Sequence, residues 1–411
     1  MSDPTLPPGA WAPARRAAHR LLSPIQRFLQ VEAASGLVLI AATAIALGWA
    51  NSPWAGSYRA LWHTDVSVAF GPWQLARPLH FWVNDGLMTI FFFVVGLEIR
   101  RDMHDGELSD VRRAALPLVA ALGGMVVPAA IYVAFNPSSA GTRGWGIPMA
   151  TDIAFAVGVL TLLGRRVAPA LRVLLLALAV IDDIGAILVI AIFYSAGIDP
   201  EGFVLVGGGL AAIVVLRAVG VRMPTVYVLP GIAVWAGMCI TGIHPTLTGV
   251  ILGLLTPVRP WSRAEELEPE SSAVQLQHAL HRWVAFVITP VFALANAGIA
   301  LGGASFTGDA AFVFIGVVVG LAIGKPAGIL LACRLSARFT VRPAGATGRG
   351  LAVMSTVAGI GFTMALFIAQ LAFSPGPLLE TAKAAILVGS LIAAMTSLAI
   401  GRVLLPPAAQ P

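Results

Sequence analysis

Seven ionisable residues fall within or at the edge of long apolar runs: Asp85, Glu98, Asp152, Asp182, Asp183, His244 and Lys325. A charge in the middle of a bilayer costs several kcal/mol on insertion scales, so each is a functional candidate by default. Asp182 and Asp183 are adjacent in LALAVIDDIGAILVIAIF. On a helix, neighbouring side chains point about 100° apart, so one carboxylate can face a cavity while the other faces a neighbouring helix. Two acids side by side in apolar surroundings repel each other and are costly to keep charged. A proton or a metal cation relieves that cost, and the pair titrates as one coupled unit. The chemistry this allows is exchange of a small cation for protons on shared carboxylates.

The other buried groups extend that reading. Asp152 lies in GWGIPMATDIAFAVG, behind Gly144, Gly146 and Pro148 and next to the hydroxyl of Thr151. Such a segment can unwind where it lines a cavity and present carbonyls and helix ends to an ion. Lys325, in GLAIGKPAGILLA, suits either a fixed counter-charge to an aspartate or a proton carrier. Glu98 adjoins Arg100 and Arg101 and fits a boundary ion pair or the wall of a cation funnel. Asp85 and His244 lie near the opposite face, where solvation, packing or capping explains them as well as access does.

The elements that position these groups must be membrane helices. Of 411 residues 58% are hydrophobic and 11% charged, far from the roughly 45–50% and 25% of soluble domains. Mean hydropathy is +0.86. This excludes a soluble enzyme and a disordered chain. Apolar runs of helical rather than barrel type cover 31–50, 79–99, 114–135, 146–164, 170–194, 202–219, 225–241, 243–257, 283–303, 310–335, 350–373 and 381–404. The expected class is an all-α polytopic membrane protein of about 12 spans, with the lipid bilayer as its first partner. Cys239 and Cys333 lie inside apolar runs and imply no disulfide framework.

The pI is about 10.0, yet the basic residues form no stripe and no nucleic acid is expected as a partner. With the N-terminus cytoplasmic, 21 of the 26 basic residues fall on the inner side; Arg59, Arg77, Arg143 and Lys383 fall outside and Lys325 within the membrane. That asymmetry is a topology signal and places both termini in the cytoplasm. The expected organisation is a cytoplasmic extension (1–27), one transmembrane domain (28–405) and a tail (406–411). Alternation around Gly71-Pro72 predicts an external hairpin at 64–77, whose free edge could pair with a second copy. The cytoplasmic segment 258–282 holds Glu265, Glu266, Glu268 and Glu270, then an amphipathic stretch with His278 and His281.

Spans three to five read as helix, interrupted helix, helix. Spans ten to twelve repeat that order, with Gly359 and Gly361 interrupting the eleventh. Seven spans separate the units, so they enter from opposite sides, as inverted repeats do.

The strings FFFVVGLEIRR (91–101), ATDIAFAVGVL (150–160), ALAVIDDIGAI (177–187), GIHPTLTGVILG (242–253), PVFALANAG (290–298), IGKPAGI (323–329) and GIGFTMALFIA (359–369) closely resemble the bacterial NhaA-type Na+/H+ antiporters, from about residue 25 to 404. Inverted repeats are already known in that family. The resemblance implies an inner-membrane secondary antiporter, not an enzyme, exchanging cytoplasmic Na+ or Li+ for external protons. It implies an electrogenic, alkaline-activated cycle and a homodimer helped by the hairpin. Asp182 and Asp183 would hold the transported Na+ or protons in turn, with Asp152, Thr151 and Lys325 beside them. Glu98, Asp85, His244, His278 and His281 would serve access or pH response. No resident cofactor is implied; the ions are cargo. Two positions depart from the family pattern: Gln277 in LQHALH stands where a Glu is expected, and Asp102 where a Glu is common. An intramembrane aspartyl protease lacks support because the YD and GxGD motifs are absent. A symporter of similar inverted-repeat architecture is the nearer alternative, and three intramembrane aspartates argue for a cation against it. No charged ring or carbonyl filter suggests a channel.

Overall fold

A computed structural model of the chain describes residues 34–405 apart from 71–72, 107–108, 138, 196–198, 222, 258–271, 301, 304–305 and 339–345. The expected N-terminal extension, the Glu265–Glu270 tract, the hairpin tip and the C-terminal tail lie outside the described residues.

Helix α1 (Ala34–Ala50) turns by 112° into α2 (Ala55–His63). Strands β1 (Asp65–Phe70) and β2 (Trp73–Pro78) then pair antiparallel, Asp65 opposite Pro78 and Phe70 opposite Trp73. Helix α3 (Leu79–His104) follows and opens into a wide, π-type turn at Trp82–Leu87. Next come α4 (Val111–Phe135), the broken pair α5 (Ala140–Met149) and α6 (Ile153–Leu162), and α7 (Pro169–Phe193). Helices α8 (Gly202–Ala218), α9 (Pro224–Thr241), α10 (Leu247–Leu255) and α11 (Ala273–Asn296) lead to α12 (Asp309–Leu335). A second broken pair, α13 (Gly348–Ala358) and α14 (Phe362–Ala372), precedes α15 (Pro377–Leu404).

Among the described residues, seven unbroken helices are long and apolar enough to cross a membrane, and ten candidate spans result if each bent pair counts as one. The count of twelve is thus not reached on length alone. The expected span at 243–257 is only 9 residues of helix, about 14 Å at 1.5 Å per residue. Gly242, at φ 78°, ends α9 in a left-handed turn that other residues rarely adopt, and Pro245 delays the next helix. Large apolar side chains such as Val204, Leu229, Leu391 and Val403 are exposed on the outer surface, where lipid rather than water is the natural solvent.

The helices form two groups. In the first, α4 and α12 pack together, α12 packs on α15, and the broken pairs lie between them. In the second, α3 packs on α10 and α11, and α8 on α9. The groups meet where α3 packs on α7 and where α11 packs on α14. Buried side chains concentrate at the crossing of the broken pairs, where Leu321, Ile360 and Ala365 are fully enclosed.

Candidate functional site at the crossing of two broken helices

The two breaks touch. Pro148 closes a tight helical turn at Arg143–Met149, and the backbone is extended through Ala150 and Asp152 before α6 begins. Opposite it, Gly359-Ile360-Gly361 separates α13 from α14, with a 44° bend against 48° in the first pair. The Asp152 amide donates to the Ile360 carbonyl at 2.7 Å, tying one break to the other. Glycine is required here: a Cβ on Gly361 would lie 3.0 Å from the Ala150 carbonyl oxygen and 2.9 Å from the Leu321 side chain.

Asp152 serves both breaks. Its Oδ1 accepts from the Phe155 amide at 2.9 Å, the N-cap geometry expected of an aspartate before α6. Its Oδ2 accepts from the Thr363 amide at 3.0 Å in the first turn of α14, and from the Thr363 hydroxyl. One carboxylate therefore satisfies the orphan N–H groups, and faces the positive dipole ends, of two half-helices. The opposite polarity is met by Lys325, whose ammonium donates to the Met149 carbonyl at the end of α5.

Lys325 also pairs with Asp182: Nζ lies 2.8 Å from Oδ2, with both side chains fully buried. A wide turn at Gly320–Gly324 directly precedes the lysine, the kind of helix defect that recurs at functional sites. The Thr151 hydroxyl lies 2.7 Å from the same Oδ2 and 3.1 Å from the Ala358 carbonyl. The other oxygen of Asp182, Oδ1, is buried and has no hydrogen-bond partner among the described residues. Asp183 is 3% exposed. Among the described residues it makes no hydrogen bond or ion pair, and it lies within charge range of Glu98, Asp182, Lys325 and Asp152. The helical offset between neighbours thus has a concrete result: Asp182 meets Lys325 of α12, and Asp183, about 100° round the helix, does not.

The remaining candidates separate into two places. Glu98 lies 3.9 Å from Arg101, which also contacts Asp102 at 3.1 Å and donates to Gln277 at 3.0 Å. His278 and His281 are on α11 near that arginine end, with His278 exposed. On the other face, His244 Nε2 is 3.5 Å from Asp85 Oδ1, and its Nδ1 is 2.7 Å from the Thr246 hydroxyl. The sequence treats Asp85 and His244 separately; the fold makes them a pair. It also brings in groups the sequence does not mark. Thr363 and the Met149, Ala358 and Ile360 carbonyls complete the crossing, and only the glycines flanking Ile360 hinted at it.

The sequence profile of the family described as Na+/H+ antiporter 1 matches residues 26–400. The chain is 53% identical over 444 aligned residues to a protein named Na(+)/H(+) antiporter NhaA 2 from Sorangium cellulosum (strain So ce56), covering 98% of this chain and 94% of the relative. It is 48% identical to one of the same name from Myxococcus xanthus (strain DK1622), covering 99% and 94%. It is 51% identical to a Na(+)/H(+) antiporter NhaA from Acidovorax sp. (strain JS42), covering 93% of each.

Proposed function

Because the chain belongs to the Na+/H+ antiporter 1 family, we propose that it is a secondary antiporter extruding Na+ or Li+ from the bacterial cytoplasm across the inner membrane in exchange for external protons. The observation that carries this reading is the buried set at the crossing: one aspartate held by a lysine and a threonine, and its neighbour left open.

The mechanism is competition. A dehydrated Na+ needs several oxygens. Asp183 offers a carboxylate, Asp182 offers its unpartnered Oδ1, and Thr151 with the nearby backbone carbonyls offers neutral oxygen. Protons compete for the same carboxylates, so each half of the cycle carries one or the other. Lys325 holds the Asp182 charge in the absence of cation, and an arriving cation displaces that hold. Asp152 positions both half-helices. Relative motion of the two helix groups alternates access to the crossing, and the cycle is electrogenic and favoured at alkaline pH. Both termini lie in the cytoplasm in this reading, which the arginine distribution supports. Glu98 lines the cytoplasmic approach, and the Asp85–His244 pair lines the external one. The Arg101 cluster with His278 and His281 responds to pH, with Gln277 removing one titratable group from it. Among the described residues no third strand pairs with β1 or β2, and a second copy pairs there to form a homodimer.

The test is Asp183→Asn in proteoliposomes, read as Na+-driven proton movement. The expected result is loss of exchange. In the parent, lowering pH raises the KM for Na+ while the limiting rate is reached at higher Na+, the sign that competition demands. Undiminished exchange by Asp183→Asn would sink the assignment.

A further inference from the structure

On the face opposite the arginines, α14 docks on the second helix group through two residues one turn apart. Phe367, 1% exposed, seats its ring against Phe92 at 5.3 Å, Phe292 at 6.1 Å and the His244 imidazole at 5.5 Å. Gln370 follows three residues later, on the same helix face. Its Oε1 accepts from Asn84 Nδ2. Asn84 lies in the wide turn of α3, which re-aims side chains at that position.

The polar partners behind Asn84 belong to the second group and satisfy one another. His80 Nε2 lies 2.8 Å from Asn296 Oδ1, so that nitrogen carries the proton and Nδ1 is left as an acceptor. Asn84 Nδ2 lies over the same ring, 3.2 Å from both of its nitrogens. Asn296 Nδ2 donates to Asn84 Oδ1 at 2.8 Å and to the Phe292 carbonyl at 2.9 Å. Asn84 and Asn296 are 8% and 1% exposed. Gln370 differs: one hydrogen bond joins it to this cluster, and among the described residues its buried Nε2 has no partner. A static anchor between two bodies distributes bonds over both, because orphaned buried donors are costly. Here the network is complete on one body and touches the other at one point. Among polar contacts, withdrawing α14 exchanges this one hydrogen bond for water and relieves an orphan, while it also uncovers the Phe367 ring.

We propose that the Asn84–Gln370 hydrogen bond, seated on the His80–Asn296 pair, is the latch that closes the outer side of the carrier, with Phe367 as the plug beneath it. This rests on the antiport reading, since a latch needs two bodies that move. The test uses the full chain carrying Cys239→Ser and Cys333→Ser, with Asn84→Cys and Gln370→Cys joined by a short, cleavable bifunctional thiol reagent. In proteoliposomes the linked protein is expected to lose at least about nine-tenths of its Na+/H+ exchange, as a two-state carrier locked on one side must. It still binds 22Na+ offered at the cytoplasmic face, and exchange returns on cleavage. Exchange at the unlinked rate in the linked protein overturns the latch. Absence of exchange in the parent chain strikes the antiport reading itself, and the latch with it. Gln370→Ala and Asn84→Ala provide a second measurement: each frees the outward state and raises the KM for cytoplasmic Na+ about 3–10-fold, the weight of one hydrogen bond. The double variant does no more than either alone. Unchanged KM, or effects that multiply, overturns the proposal.

Discussion

The two broken helix pairs have the same architecture and unequal chemistry. The α5–α6 break carries its own anion, Asp152, and its own hydroxyl, Thr151. The α13–α14 break carries no charge and offers carbonyls, glycines and Thr363. Together they expose two N-terminal and two C-terminal helix ends to an apolar interior, which has no water to satisfy them. One carboxylate nevertheless caps both N-terminal ends, and one ammonium meets the C-terminal end of α5. A crossing lets a single charge do what two separate breaks would each need. That economy leaves Asp183 and the Oδ1 of Asp182 as the carboxylate oxygens not consumed by structure.

The comparison breaks most readily at Asp152. Asp152→Ala orphans the Phe155 and Thr363 amides and the Thr363 hydroxyl together. Hydrogen bonds to charged groups contribute about 1.5–3 kcal/mol each, so loss of the folded carrier is expected. Asp152→Asn keeps one amide oxygen and turns an NH2 toward the other N–H donors, so it loses roughly half as much. Size-exclusion homogeneity and thermal unfolding in detergent read both. If Asp152→Ala unfolds no earlier than the parent, the shared cap is not what holds the crossing together.

Lys325 comes next. Removing one member of a buried pair costs about 3–5 kcal/mol because the other charge is stranded. Lys325→Met strands Asp182, which keeps only the Thr151 hydroxyl. The expected signature is a lower unfolding temperature that Na+ raises more in this variant than in the parent, since the cation replaces the missing charge. Adding Asp182→Asn to Lys325→Met recovers most of the loss without Na+. Equal Na+ shifts in parent and variant would mean that lysine and cation do not share Asp182.

Much of this site could be read from the sequence because membranes make charge conspicuous. Asp152, Asp182, Asp183 and Lys325 stand out against apolar runs, and glycines with proline mark both breaks. The arginine asymmetry orders the spans. What stayed hidden is pairing. Lys325 is 143 positions from Asp182, and only the packing of both α12 and α7 on α4 brings it to that aspartate rather than its neighbour. Thr363 is unremarkable in GFTMALF until the crossing places it on Asp152. Asn84, Asn296 and Gln370 are neutral, so a search for intramembrane charge passes over them. The expected span at 243–257 holds only the short α10 because apolar content counts residues, while Gly242 and Pro245 decide how many of them are helical.

The smallest effects separate the two threonines, one at each break. The Thr363 hydroxyl reaches an aspartate that retains the Phe155 and Thr363 amides without it. Thr363→Ala therefore costs about 1 kcal/mol of stability, the net weight of one hydrogen bond, and leaves the KM for Na+ unchanged. The Thr151 hydroxyl reaches Asp182, the carboxylate proposed to meet the cation. Thr151→Ala removes a similar bond and also one oxygen from the cation's shell, so the KM for Na+ rises several-fold while Thr151→Ser restores it. Thermal unfolding and KM measured on both variants decide whether the breaks divide the work as the geometry suggests. Matching KM changes in Thr151→Ala and Thr363→Ala would make the two breaks equivalent partners of the ion, and the asymmetry between them would then be one of packing alone.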